Sequence, residues 1–89
     1  STPLKNYGIA LWDKCMSAFE KIVSERIFTS IFKQLSFESY DETRKTLLLA
    51  LPNKQVYEKL ESSYIETLSL VLQKFFGRGI QLLYRIQQA

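Results

Sequence analysis

The chain contains no histidine, and this absence removes several classes of function at once. Triads of a nucleophile with histidine and metal sites with histidine ligands are excluded, and the commonest general base is missing. Cysteine is nearly absent as well, because Cys15 is the single thiol of the 89 residues. An internal disulfide cannot form, which fits a reducing intracellular compartment and predicts a cytoplasmic protein.

Long apolar segments are also missing. No run approaches the roughly 20 apolar residues that a membrane-spanning helix needs, and no secretory signal is visible at the N-terminus. The chain begins with Ser1 instead of Met, so we expect it to be a processed or trimmed piece of a longer protein. Its 89 residues are enough for one domain with a small core, which we place at residues 8–87 after a short lead-in at residues 1–7.

Candidate catalytic groups are scarce. None of the nine carboxylates sits among partners that would make it an acid or base for a Ser or Cys nucleophile. The Gly77-Arg78-Gly79 segment lacks both the phosphate-binding loop pattern and the dinucleotide-binding pattern. We therefore expect no enzymatic activity, no cofactor and no metal site.

The charge balance is mildly basic, with a formal net charge of +3. The basic residues near the C-terminus stand out, because Lys74, Arg78 and Arg85 lie in a segment, residues 74–89, that contains no acidic residue. These three side chains predict weak binding of single-stranded nucleic acid at most, through contacts with phosphates. A solvated surface is the simpler explanation for three charges.

Apolar spacing predicts two helices in the first part of the chain. Over residues 9–23, two adjacent stripes at steps of four and three indicate a helix with an unusually wide apolar arc. The first stripe is Leu11, Cys15, Ala18 and Ile22, and the second is Trp12, Met16, Phe19 and Val23. Ser24 is a candidate N-cap for a second helix over residues 25–34.

The two stripes lead to different expectations. Cys15 belongs to the first stripe and should be a buried, unreactive thiol. A small domain covers only part of such an arc, so we expect the second stripe to be exposed and to form an interaction site. Trp12 by its residue type fits either a core anchor or a surface anchor for a partner protein.

The middle and end of the chain predict three strands and a long helix. Leu35 and Phe37 alternate with polar neighbours, residues 41–44 supply turn chemistry, and residues 46–51 form a second strand of an antiparallel hairpin. Asn53 should cap a third helix over residues 54–76. Residues 80–87 alternate as a last strand. The predicted fold is α+β, in the order ααββαβ, with a three-stranded sheet packed against helices.

The ααββαβ order is that of K-homology-like domains. Members that bind RNA hold its backbone with a GxxG loop between two helices. The corresponding segment here, IVSERIF at residues 22–28, contains no glycine. Two hypotheses remain, a protein–protein interaction module and a module that binds single-stranded nucleic acid directly. The missing GxxG loop and the small net charge favour the first hypothesis.

Two motifs resemble those of the DnaA N-terminal domain family of bacterial replication initiators. The first is Leu11-Trp12-x-x-Cys15, and the second is the Pro52-Asn53 step into a helix that carries Tyr64. The likeness extends over residues 8–87. The resemblance implies a K-homology-like module that performs no chemistry, self-associates through its first helix and recruits the replicative helicase and regulators. It also implies a weak symmetric homodimer.

The resemblance further implies roles for particular positions. It places Trp12 at the self-association face, where Met16 and Phe19 share its stripe, and it aligns partner-binding positions with Ile27 and Gln55. Relatives often carry an acidic residue near the first position and an aromatic residue at the second. The chain is therefore expected to be a divergent chromosomal initiator or a DnaA-like module of a plasmid or mobile-element replication protein.

Overall fold

The computed structural model describes the backbone of residues 3–87 and the side chains of residues 7–87. Over these residues, the helices form one layer, which packs on one face of a three-stranded sheet. A 3₁₀ turn and a π-helical turn interrupt the helices. The elements are α1 (Pro3–Ile22), α2 (Glu25–Ser30), the 3₁₀ turn (Phe32–Gln34), β1 (Ser36–Asp41), β2 (Thr46–Leu51), α3 (Lys54–Lys59), the π-helical turn (Leu60–Tyr64), α4 (Ile65–Phe76) and β3 (Gln81–Ile86).

Helix α1 is longer than its apolar pattern predicts. The expected start at residue 9 was wrong, because the helix begins at Pro3 and takes in most of the expected lead-in. Proline is tolerated in the first turn of a helix, where its missing N–H would have had no partner. Residues 1 and 2 of the lead-in lie outside the described residues.

The second helix begins as predicted and ends early. The Ser24 Oγ accepts a hydrogen bond from the Ile27 N–H at 3.2 Å, so Ser24 is the N-cap. The predicted extent to residue 34 was wrong, because the backbone leaves α-helical geometry at Ile31 and continues as the 3₁₀ turn. Ile31 and Phe32, the two residues at this break, are both buried.

The sheet has the strand order β1-β2-β3. Strands β1 and β2 pair antiparallel, which confirms the predicted hairpin, with a register shift between Phe37 and Ser39. Strands β2 and β3 pair parallel, so the helical segment between them is the crossover that a parallel pair needs. The ααββαβ order and the α+β class are confirmed if α3 and α4 are counted as one interrupted helix.

The two faces of the sheet have different surroundings. On the helix-covered face, Leu47, Leu49 and Leu51 of the central strand are fully buried. Side chains alternate along a strand, so Leu48 lies on the opposite, open face. Its parallel partner Leu83 is mostly exposed there. This opposite face is called the open sheet face below.

Asn53 caps α3, as the sequence predicts. Its backbone is extended, and its Oδ1 accepts a hydrogen bond from the Val56 N–H at 2.9 Å. The cap satisfies one of the N–H groups that the first turn of a helix leaves without a partner. It therefore fixes the point at which the chain leaves β2 and enters the crossover.

Replacing Asn53 by Ala should lower the free energy of unfolding by about 1 kcal/mol, because the Val56 N–H loses its acceptor. The measurement is urea denaturation followed by circular dichroism. Gln55→Ala, an exposed position in the same turn, is the matched control, and Asn53→Asp should retain most of the stability because it keeps an oxygen acceptor. Equal losses for Asn53→Ala and Gln55→Ala would contradict the cap.

The predicted single helix over residues 54–76 was wrong in one respect. The π-helical turn at Leu60–Tyr64 interrupts it and holds an extra residue relative to a continuous α-helix. In α4, Leu68, Val71, Leu72 and Phe76 are buried. Phe75, which the periodicity places on the core face, is only partly buried.

The core contains a chain of aromatic contacts across three elements. The Trp12 ring meets the Phe19 ring edge-on at 6.1 Å between centroids, and Phe19 stacks on Phe32 at 4.5 Å. Phe32 in turn contacts the Tyr64 ring at 6.0 Å. These contacts tie α1 to the 3₁₀ turn and to the π-helical turn.

The other end of α1 lies close to the sheet. A Cβ atom added to Gly8 would stand only 3.0 Å from the Tyr40 Cβ, so α1 approaches β1 at a position without a side chain. Tyr40 also contacts Phe76 at the end of α4, with 4.8 Å between ring centroids. The first half of α1 is thus near the end of α4.

Candidate interaction surfaces

Trp12 and Phe19 are core residues. Trp12 is 5% exposed and Phe19 is completely buried, so the expectation that their stripe is exposed in a single subunit was wrong. The reason is that α1 is covered on two sides, by α4 and by the 3₁₀ turn that carries Phe32. Neither ring offers surface area to a second protein in this arrangement.

Cys15 has the environment that the sequence predicts. Its side chain is fully buried, and burial raises the pKa of the thiol to about 12 because the thiolate would lose its hydration. A thiol with such a pKa contains almost no thiolate near neutral pH and is therefore a poor nucleophile. The predicted burial of Cys15 is confirmed, and its low reactivity stays a prediction that labelling of the native protein with a thiol reagent tests.

One flank of α1 retains accessible apolar surface beside the buried Trp12. We define the outer strip as Ile9, Met16 and Val23, which are spaced by seven residues and therefore follow one line along the helix. Ile9 is 36% exposed, and the other two are partly exposed. Val23 follows the last residue of α1, and its N–H still donates to the Phe19 carbonyl at 3.0 Å. Met16 and Val23 are the members of the predicted interaction stripe that a partner can reach, and Ile9 extends their line toward the start of the helix.

The positions that the resemblance aligns with partner binding differ in accessibility. Ile27 is partly buried against the core in α2, and its N–H is engaged in the Ser24 cap. Gln55 is exposed in the first turn of α3, two residues after the Asn53 cap. Of these two side chains, Gln55 is the more accessible to a partner.

The three basic residues of the acid-free segment lie in different parts of the fold. Lys74 lines a groove between α1 and α4, whereas Arg78 lies in the turn after α4 and its carbonyl accepts from the Lys45 Nζ at 2.8 Å. Arg85 lies on the open sheet face, where it forms an ion pair with Glu38 at 2.6 Å. The helices and the open sheet face are on opposite sides of the sheet, so Lys74 and Arg85 do not form one surface. Within the described residues, this arrangement weakens the hypothesis of direct single-strand binding.

A groove between α1 and α4 is the feature that sequence reasoning missed. It has a volume of about 450 Å³. Two lysines of α1 and one of α4 are among the residues around it. Its lining is Asp13, Lys14, Ser17, Ala18, Lys21, Lys74 and Phe75. The seven-residue spacing of Lys14 and Lys21 indicates that both lie on one side of α1, and this could be seen in the sequence. Only the packing of α4 shows that Lys74 faces them.

Another polar contact fixes the helical crossover to the last strand. The Tyr84 hydroxyl donates to the Glu61 Oε2 at 2.8 Å, and its ring meets the Tyr57 ring edge-on. Burial, with the Glu61 carboxylate as the accepting partner, raises the pKa of Tyr84. The hydroxyl therefore stays protonated and joins the π-helical turn to β3.

Among residues 7–87, no group of three or more His, Cys, Asp and Glu side chains is placed to hold a metal ion. Within residues 3–87, no helix has the length and apolar character needed to cross a membrane.

The fold and these surfaces define a small α+β module of the ααββαβ order, as in K-homology-like domains. The family model for the DnaA N-terminal domain matches residues 10–74. The chain belongs to the DnaA N-terminal domain family.

Individual relatives and a solved structure agree with this family. The chain is similar to the chromosomal replication initiator protein DnaA of Flavobacterium psychrophilum, with 31% identity over 78 residues, and to that of Bacteroides thetaiotaomicron, with 28% identity over 83 residues. These alignments cover 88% and 93% of the chain but only 16% and 17% of the two relatives.

The structural comparison concerns the fold. The chain resembles the crystal structure of a HobA–DnaA (domain I-II) complex from Helicobacter pylori, with a TM-score of 0.66 at 16% identity. The match covers 89% of the chain and 98% of the compared chain. It confirms the predicted fold.

Proposed function

We propose that the chain is a non-enzymatic protein–protein interaction module of a cytoplasmic replication initiator, which self-associates and recruits the replicative helicase and replication regulators. The observation that carries this proposal is the family match over residues 10–74. It is supported by the fold shared with the Helicobacter pylori domain, whose crystal structure is that of a complex with a second protein, HobA.

Self-association is assigned to the outer strip of α1. Ile9 and Met16 present accessible apolar area, and the buried rings of Trp12 and Phe19 support the helix from beneath. Two copies that pack these strips against each other form an isologous dimer, because the same patch is used twice. A strip of three side chains buries far less than the roughly 1,200 Å² of a stable interface, so the dimer is weak.

The double variant Ile9→Lys/Met16→Lys should abolish self-association, because the two ammonium groups of one copy would face and repel those of the second copy across the dimer axis. Sedimentation velocity over a range of concentrations measures this, and circular dichroism checks the fold. Ile22→Lys/Leu70→Lys is the matched control, since it adds the same charge at exposed apolar positions outside the outer strip. An equal loss in the control variant, or a wild-type chain that stays monomeric at high concentration, would contradict the outer strip as the interface.

Recruitment is tested separately by retention of the purified replicative helicase on the immobilised domain. Gln55→Arg should reduce retention, because Gln55 is exposed at the start of α3 and aligns with a partner-binding position. Gln73→Arg, an exposed glutamine of α4, is the control. A wild-type domain that retains no helicase would refute this part of the proposal.

A further inference from the structure

The groove between α1 and α4 has a basic rim and an apolar floor, and we call it the lysine groove. Lys14 and Lys21 of α1 form one side, and Lys74 of α4 forms the other. Ala18 and Phe75 contribute the apolar part of the lining. The lysine groove lies on the flank of α1 opposite the outer strip, so both surfaces can be occupied together.

The geometry of the lysine groove follows from the two helices. Lys14 and Lys21 are seven residues apart, so they lie on the same side of α1 and about 10.5 Å apart along its axis. Phe75 of α4 is partly exposed beside Lys74, while it also packs against the core.

The charges of the lysine groove are not neutralised by neighbouring acids. Among the ion pairs formed by residues 7–87, none includes Lys14, Lys21 or Lys74, and Asp13 is the one acidic residue of the lining. The Lys74 ammonium lies 5.6 Å from the centroid of the Phe75 ring, within the range of a cation–π contact. A concave surface with three positive charges and one negative charge attracts an anionic partner.

We infer that the lysine groove binds an acidic amphipathic helix of a protein partner, an inference that rests on the proposed recruiting function. The groove lies between two helices, and recognition of a helix in a groove uses anchors spaced by three, four and seven residues. Carboxylates at positions i and i+7 of such a helix are about 10.5 Å apart and match Lys14 and Lys21. A carboxylate at i+3 or i+4 meets Lys74, and an apolar side chain beside it contacts Phe75.

The lining favours a peptide over a single-stranded nucleic acid. Proteins that hold single strands combine a basic groove with aromatic platforms on which successive bases stack. Phe75 is the single aromatic residue of this lining, it is partly buried, and the Lys74 ammonium lies near its ring. The lysine groove therefore offers charge and one apolar contact but no row of rings.

The experiment uses two fluorescent peptides with identical composition. One is a designed helix with Glu at i, i+3 and i+7 and Leu at i+4, and the other is a scrambled sequence. Fluorescence anisotropy measures their binding to the wild-type chain, to K14Q/K21Q/K74Q and to the matched control K33Q/K54Q/K59Q. Both variants lower the formal charge from +3 to 0 through exposed lysines, and the control in addition loses the exposed Lys54–Glu58 ion pair.

The designed peptide should bind the wild-type chain more tightly than the scrambled peptide. The dissociation constant should rise about tenfold for K14Q/K21Q/K74Q, because three exposed ion pairs are lost, and less than about twofold for the control. Equal binding of the two peptides, or equal weakening in the two variants, overturns the inference. Tighter binding of an oligothymidylate through the same three lysines also overturns it, in favour of a nucleic acid.

Failure of this inference and failure of the proposed function are distinguishable. If the wild-type chain self-associates and retains the helicase but does not bind the designed peptide, only the inference about the lysine groove is overturned. A chain that binds the peptide through the three lysines, yet neither self-associates nor retains the helicase, supports the lysine groove and overturns the proposed function.

Discussion

Replacing Trp12 by Ala is expected to lower the free energy of unfolding by about 3–5 kcal/mol, a large part of the 5–15 kcal/mol typical of a small domain. Trp12 is 5% exposed and contacts Phe19 edge-on, so alanine would leave a cavity between α1 and its neighbours. The sequence alone predicts a different outcome, in which the variant stays folded and only loses self-association. The burial of the ring decides between the two.

The measurement is urea denaturation followed by circular dichroism. Leu70→Ala should change stability by less than about 0.5 kcal/mol, because Leu70 is 70% exposed. Trp12→Phe keeps an aromatic ring and should lose less stability than Trp12→Ala. Trp12 is also the only tryptophan, so its fluorescence reports its own burial. A short-wavelength emission that does not change with protein concentration is expected, and a concentration-dependent shift would place Trp12 at the dimer interface.

Replacing Phe32 by Ala should cause a loss of similar size, about 3–5 kcal/mol. Phe32 is fully buried in the 3₁₀ turn and joins two parts of the core, since its ring stacks on Phe19 and meets Tyr64 edge-on. Its removal takes away the stacked partner of Phe19 and the edge-on partner of Tyr64. The loss should exceed that expected for burial alone, because each aromatic pair contributes about 0.5–1.5 kcal/mol in addition.

Phe28→Ala is the matched control for this prediction. Phe28 lies one helical turn earlier, in α2, and is only partly buried, so the same change should cost clearly less. Phe32→Leu tests the ring separately from the volume. A double-mutant cycle of Phe19→Leu with Phe32→Leu should give a favourable coupling energy for the stacked pair. Equal losses for Phe28→Ala and Phe32→Ala would contradict the role of Phe32 as the link of the aromatic chain.

These two predictions separate stability from recognition in α1. The aromatic chain that starts at Trp12 holds the helix in place, while Ile9 and Met16 on one flank and the lysine groove on the other flank present surface to partners. Variants of Trp12 therefore act on self-association indirectly, through the position of the helix. Variants on the flanks should act on binding and leave the stability nearly unchanged.

Local features of the fold could be predicted from the sequence because they depend on neighbouring residues. The Ser24 and Asn53 caps each involve an N–H group three residues along the chain, so residue type and position are sufficient to find them. The hairpin and the last strand follow from alternation and turn residues. The burial of Cys15 was predicted from its place in the first apolar stripe of α1.

The sequence by itself determined the ααββαβ order, the two helix caps and the family resemblance, since all of these are encoded in short patterns. Only the tertiary structure decided which residues face a partner. Burial of Trp12, partial exposure of Phe75, neutralisation of Arg85 by Glu38 and the meeting of Lys74 with Lys14 each depend on elements far apart in the chain. Apolar periodicity shows that a side chain belongs to the apolar face of a helix. The packing of the neighbouring elements determines which part of that face is buried.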